Sequence, residues 1–171
     1  MQQERELEEL AVKGKFKLIV ARVTNAYGPL QNLTKKQGLI SSLVKASLNR
    51  EPVEIYVPLD TKRDYIYADD IGNKLAKLLE VTRLSPEQVT YKIISSQVNR
   101  TISSIIGELN RIRGIRTPVI FATKPETLLQ PRDLSFASIM LTEVDTVPCI
   151  SLAEGMHKVI AKQMQDKQTS T

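Results

Sequence analysis

The chain has 171 residues, 42% of them hydrophobic and 25% charged, with a formal net charge of +5. That length suits one domain with a real core, and the balance excludes a disordered chain. The basic residues are scattered over Lys35 and Lys36, Lys62 and Arg63, Arg111 to Arg116 and the tail, without interleaved aromatics, so a nucleic-acid reader is not expected and a small phosphate-bearing ligand held by two or three arginines fits better.

The first element expected is a helix over 2–13. Leu7, Leu10 and Ala11 fall at i, i+3 and i+4, with Glu4, Glu6, Glu8 and Glu9 around them. Acidic residues gather early and Lys13 comes late, as the helix dipole favours, and Gly14 is the expected left-handed stop. No capping residue precedes this helix, which leads to the expectation of further helix, or a partner, before it. A strand over 16–23 follows, and its continuous run Leu18, Ile19, Val20, Ala21 predicts burial on both faces of an α/β sheet. The loop 25–32 lies at the carboxyl end of that strand, where ligands of open α/β sheets sit.

A helix over 38–50 is predicted from the stripe Leu39, Ile40, Leu43, Val44 and Leu48. A short strand over 53–57, a turn at Pro58 and Asp60, and an extended stretch over 65–67 come next. Asp69 or Asp70 is the expected cap of a helix running to about Val81, with Ile71, Leu75, Leu78 and Leu79 on one side. After a connector containing Pro86, residues 91–95 read as an apolar strand. Thr101 then caps a helix carrying Ile102, Ile105, Ile106, Leu109 and Ile112, ended by Gly114. Residues 119–122 form a short strand candidate, followed by a loop with Pro125 and Pro131 and a helical turn over 135–141. Ser151-Leu152-Ala153-Glu154 is a capping box opening a last helix to about Met164. Neither an internal repeat nor a low-complexity segment interrupts the chain.

Cys149 is the only cysteine and His157 the only histidine. Neither an internal disulfide nor a zinc site of the usual composition can be built from them, which suits a reducing compartment. Cys149 reads first as a small buried apolar residue, and as a nucleophile only if a base stands near it. The amino terminus is acidic and amphipathic rather than a secretory signal, and no long apolar run can span a membrane, so a cytoplasmic protein is expected.

Three arginines stand beside turn or strand signals: Arg22 in Arg-Val-Thr-Asn, Arg63 in Arg-Asp-Tyr and Arg132 in Arg-Asp-Leu. Each alone reads first as a surface or salt-bridged arginine, but two converging from distant parts of the chain would grip a diphosphate bidentately. Asn25 either hydrogen-bonds a ligand or stabilises the turn before Tyr27-Gly28-Pro29. Tyr27 could equally pack against a helix. Asp69 and Asp70 read as a cap more readily than as paired carboxylates, because adjacent helical residues do not face one another.

These pieces form an ordered set. Arg22 to Pro29 resembles the Arg-x-x-Asn-x-Tyr-Gly-Pro element of the NAD-dependent epimerases and dehydratases, the nucleotide-sugar-modifying branch of the extended short-chain dehydrogenase/reductase family. Arg63 to Asp70 resembles the family's Arg-Asp-[Tyr/Phe]-[Ile/Val]-[Tyr/His]-Val-x-Asp. Tyr91-Lys92-Ile93-Ile94-Ser95 stands where the family has Tyr-Asn-Ile-Gly. Thr101-Ile102-Ser103 opens the next helix, Pro131-Arg132-Asp133 resembles the Arg-x-x-Asp or Arg-Pro-x-Asp segment, and Ser151 to Gly155 resembles the Ser-Leu-Glu-Glu-Gly start of the last helix.

The resemblance implies that Asn25, Arg63 and Arg132 bind the nucleotide-sugar, with the arginines on its diphosphate or ribose, and that Tyr27 packs. It implies an α/β fold in which 1–32 are the last helix, strand and loop of a Rossmann-like part. Residues 33–171 would be mostly substrate-binding region, with a strand near 91–95 returning to the sheet. It also implies a cofactor, NAD or NADP. Yet neither Gly-x-x-Gly-x-x-Gly nor Tyr-x-x-x-Lys occurs in the 171 residues. The expectation is therefore a substrate-binding half, inactive and not binding the cofactor alone. It would work as a homo-oligomer or with an amino-terminal half, without nucleic acid or membrane. The alternative is a non-catalytic binding or structural protein of the same descent. The Pro58 to Lys62 turn and Ile94-Ser95 depart from the family's glycines and leave the sugar open.

Overall fold

The computed structural model describes residues 2–32, 38–122 and 130–169; Lys35, Lys36 and Pro125 lie outside them. Helix α1 spans Gln2–Gly14, strand β1 Leu18–Val23 and strand β2 Asn25–Tyr27. Helix α2 (Leu39–Asn49) leads to β3 (Val53–Ile55), β4 (Lys62–Tyr67) and helix α3 (Ala68–Thr82). Then come β5 (Val89–Ile94), β6 (Asn99–Thr101) and helix α4 (Ile102–Arg113). Strands β7 (Val119–Phe121) and β8 (Asp133–Leu134), a 3-10 turn at Thr142–Val144 and helix α5 (Leu152–Thr169) complete the described chain.

Parallel pairing dominates. β1 and β5 run parallel from Leu18↔Val89 to Val23↔Ile94. β2 pairs parallel with β4, which also pairs antiparallel with β6 and parallel with β8. β3 pairs parallel with β7. The larger core lies where α2, α4 and α5 meet, around Leu43, Val44, Ile105, Leu109, Met156 and Val159, with Tyr27 and Tyr67 closing it from β2 and β4. A smaller core joins β4, α3 and β5 through Ile66, Leu78 and Ile94, with Ile19 and Ala21 of β1 packed against it.

Local chemistry explains most boundaries. Thr101 Oγ1 accepts from Ser104 N at 3.1 Å, and Gly114 closes α4 in the left-handed region at φ 66°. Ser151 Oγ accepts from Glu154 N at 3.1 Å, the forward half of a capping box, while the Glu154 carboxylate pairs with Lys158 at 3.4 Å.

Several expectations are corrected. α1 includes Gly14, and the left-handed residue is Lys15, at φ 52°. Gly14 serves instead a close approach: a Cβ there would stand 2.9 Å from the Phe16 ring. Neither Asp69 nor Asp70 caps α3. β4 runs directly into the helix, so Tyr67 takes the cap position with no side-chain cap bond, and Asp70 turns inward to accept from Ile150 N at 3.0 Å. The 135–141 stretch is not helical; the helical turn lies later, at Thr142–Val144. β3 ends at Ile55 and α5 runs past Met164 to Thr169. β1 is half-buried, with Arg22 and Val23 exposed, because β5 covers one edge and the small core only one face.

Candidate functional site

The site grows from one crossing of the chain. β1 ends with Thr24 N bonded to Ile94 O at 3.0 Å, and the next residue already belongs to β2, beside β4. Asp64, 1% exposed, secures that crossing. Its carboxylate accepts from Thr24 Oγ1 at 2.6 Å, Ser96 N at 3.0 Å, Ser96 Oγ at 2.8 Å and Val98 N at 3.1 Å. The Asn25 amide donates to the Asp64 carbonyl at 2.7 Å. The Arg-Val-Thr-Asn and Arg-Asp-Tyr segments are thus laced into one wall.

That wall borders an open cleft of about 910 Å³ between β2, β4 and the α2–β3 unit, lined among others by Asn25, Thr61, Arg63, Tyr65 and Gln130. Arg63 is 8% exposed. Its Nη1 donates to Lys62 O at 2.8 Å and Arg132 O at 3.4 Å, and its Nη2 reaches Gln130 Oε1 at 3.5 Å. All three partners are neutral oxygens, and no ion pair among the described residues involves Arg63. A nearly buried guanidinium without a counter-charge is poised to take an anion. Burial pushes the Tyr65 phenol up to about 12, with Arg63 opposing, so it stays neutral at the cleft wall.

The other sequence-predicted residues fall into place around this centre. Arg132 is adjacent only through its main chain, which accepts from Lys62 N at 2.7 Å; its side chain is exposed and pairs with Asp60 at 3.6 Å. Arg22 is elsewhere, donating bidentately to Glu4 of α1 at 3.0 and 2.9 Å and lying 5.1 Å over the Tyr91 ring. Asn25 and Arg63 therefore share a cleft, Arg132 meets Arg63 only through its backbone carbonyl, and Arg22 ties α1 to β1. Tyr27 packs edge-on to Tyr67 with centroids 5.7 Å apart, and burial pushes its hydroxyl far above the usual phenol range.

Sequence reasoning missed the role of Asp64, although it stands inside the quoted Arg-Asp-Tyr. It also missed Lys92, 4% exposed, whose ammonium donates to Asp145 at 2.6 Å, to Met140 O at 2.8 Å and to the Ser138 hydroxyl. A lysine in an apolar strand was the available signal. Cys149 is partly buried; burial first, with Asp70 and Asp64 adding, pushes its thiol up against the opposing charge of Lys74. Among the described residues no group of three His, Cys, Asp or Glu is placed to hold a metal, and no helix is long and apolar enough to cross a membrane.

Residues 1–93, just over half of the chain, match the profile described as the NAD dependent epimerase/dehydratase family. A curated relative, the dTDP-4-dehydro-6-deoxyglucose reductase of Escherichia coli, is 38% identical over 55 residues, 32% of this chain and 17% of the reductase. The solved structure of MoeE5 in complex with UDP-glucose and NAD superposes with a TM-score of 0.78 over 96% of this chain and 53% of that one, at 20% identity. The UDP-N-acetylglucosamine 4-epimerase of Methanobrevibacter ruminantium M1 follows at 0.77, 95%, 51% and 18%. The UDP-glucose 4-epimerase of Thermotoga maritima gives 0.76, 98%, 52% and 20%. At such identities the likeness is one of fold, and the chain spans about half the length of these structures.

Proposed function

The chain belongs to the NAD dependent epimerase/dehydratase family, and on that premise we propose that it is the substrate-binding half of a nucleotide-sugar epimerase or dehydratase, inactive alone. The observation that carries the reading is Arg63: nearly buried, without a carboxylate partner, and facing a cleft shared with Asn25. A diphosphate supplies the missing charge, and the planar guanidinium matches its oxygens. Arg132 joins by leaving Asp60, an exposed pair that costs little to break. The lone cysteine fits a cytoplasmic setting.

The residues present do not fit a dinucleotide. The seven glycines are widely separated, and β4 and β6, which run directly into helices, do so at Tyr67-Ala68 and Thr101-Ile102 without a glycine turn. No Tyr-x-x-x-Lys pair supplies a general base. Hydride chemistry therefore requires groups from outside these residues, and mixing with a chain that carries them should restore turnover. A second reading, a non-catalytic binding protein, is favoured by the same missing groups and predicts no such rescue.

The direct test is calorimetric titration of the full chain with UDP and dTDP. Binding of either is expected, with affinity reduced at least tenfold in Arg63→Lys, which keeps the charge but loses the fork. Absence of binding by the unsubstituted protein, or equal binding by the variant, overturns the reading.

A further inference from the structure

Among the described residues, four buried side-chain polar atoms have no hydrogen-bond partner: Ser47 Oγ, Thr61 Oγ1, Arg113 Nε and Thr117 Oγ1. Of these four residues only Thr61 lines the cleft. It is 1% exposed, and its main chain is fully engaged: its N–H donates to Pro58 O at 3.0 Å and its carbonyl accepts from Ile102 N at 3.1 Å. The backbone is thus fixed while the hydroxyl is left without a partner. A buried hydroxyl with neither donor nor acceptor satisfied is a standing cost to the folded chain. Two residues on, Arg63 lines the same cleft and lacks a counter-ion. Thr61 directly precedes β4, and two residues of chain span at most about 7 Å, so one phosphate-bearing group can meet both side chains.

We propose that Thr61 is a ligand-binding residue whose hydroxyl completes its hydrogen bonding on the anionic ligand held by Arg63. The inference rests on the reading of the cleft given above and adds the hydroxyl to it. In this arrangement the hydroxyl donates to a ligand oxygen, one neutral bond beside the charged fork of Arg63. The ligand-free protein carries the unsatisfied group, and the bound one does not.

Thr61→Val keeps the shape and removes the hydroxyl; Thr61→Ser keeps the hydroxyl. UDP and dTDP titrations of the full chain, with thermal unfolding of each variant without ligand, separate the possibilities. Expected for Thr61→Val are a three- to tenfold weaker affinity and an unfolding midpoint equal to or above that of the unsubstituted chain, with affinity held within about twofold in Thr61→Ser. A structural hydroxyl would instead lower the midpoint of Thr61→Val, and that result overturns the proposal. Unchanged affinity in Thr61→Val alongside loss in Arg63→Lys overturns it too, leaving the nucleotide-sugar reading intact. No nucleotide binding by the unsubstituted chain overturns both.

Discussion

Asp64 shows how much one carboxylate can organise. Four donors from three residues in two segments of the chain converge on it, two of them backbone N–H groups. Asp64→Asn replaces one acceptor oxygen by an amide that faces donors, so stability should fall by about 2–4 kcal/mol, read from urea unfolding. Unchanged stability would mean that the crossing is held elsewhere. At this scale the sequence was partly legible. The strand-end asparagine and the arginine of Arg-Asp-Tyr do meet in one cleft, because their flanking segments are neighbouring strands. The convergence of Arg132 was legible only as far as its backbone: Asp60, in the expected turn after Pro58, pairs with its side chain outside, and that pairing has no local signal.

Among the elements, helices were read well because apolar periodicity and caps are local. The last helix, opened by Ser151, and the helix between Thr101 and Gly114 stand where those residues put them. The miss over 135–141 has a non-local cause. That segment is tied down by Lys92, which reaches it from β5 through Ser138, Met140 and Asp145. The Lys92 and Asp145 side chains are only 2% and 15% exposed. Truncating one partner strands the other's charge, and such breaks cost about 3–5 kcal/mol. Lys92→Ala should therefore release the stretch around 138–145, seen as faster limited proteolysis there, while the α4–α5 core keeps its helical circular dichroism. Equal cleavage rates would show that the buried pair does not hold the segment. The buried tyrosines work in the same direction: burial holds the Tyr27 and Tyr65 phenols protonated, so stability present below about pH 10 declines as the unfolded chain begins to ionise its own.

For the whole molecule, the exposed surface is the informative feature. Leu7 and Leu10 of α1 are 45% and 56% exposed, Phe16 is 45% exposed, and β1 has one paired neighbour among the described residues. An apolar helix stripe beside an open strand edge favours association. Sedimentation at micromolar concentration should give a dimer or larger species, shifted toward monomer by Leu7→Glu with Leu10→Glu; a monomer for the unsubstituted chain would contradict this. The fold class was legible because parallel strands alternating with helices leave their mark in apolar runs. The split of strands into separate pairs was not, because it depends on where the chain leaves one sheet for the next.

That departure has a mechanical meaning. Only Thr24 separates β1 from β2, and both its N–H and its hydroxyl are bonded, to Ile94 and to Asp64. With no slack in the joint, β1 and β2 behave as a rigid crank. The place of the Asn25 amide in the cleft is thus tied through a single residue to the seat of β1 beside β5.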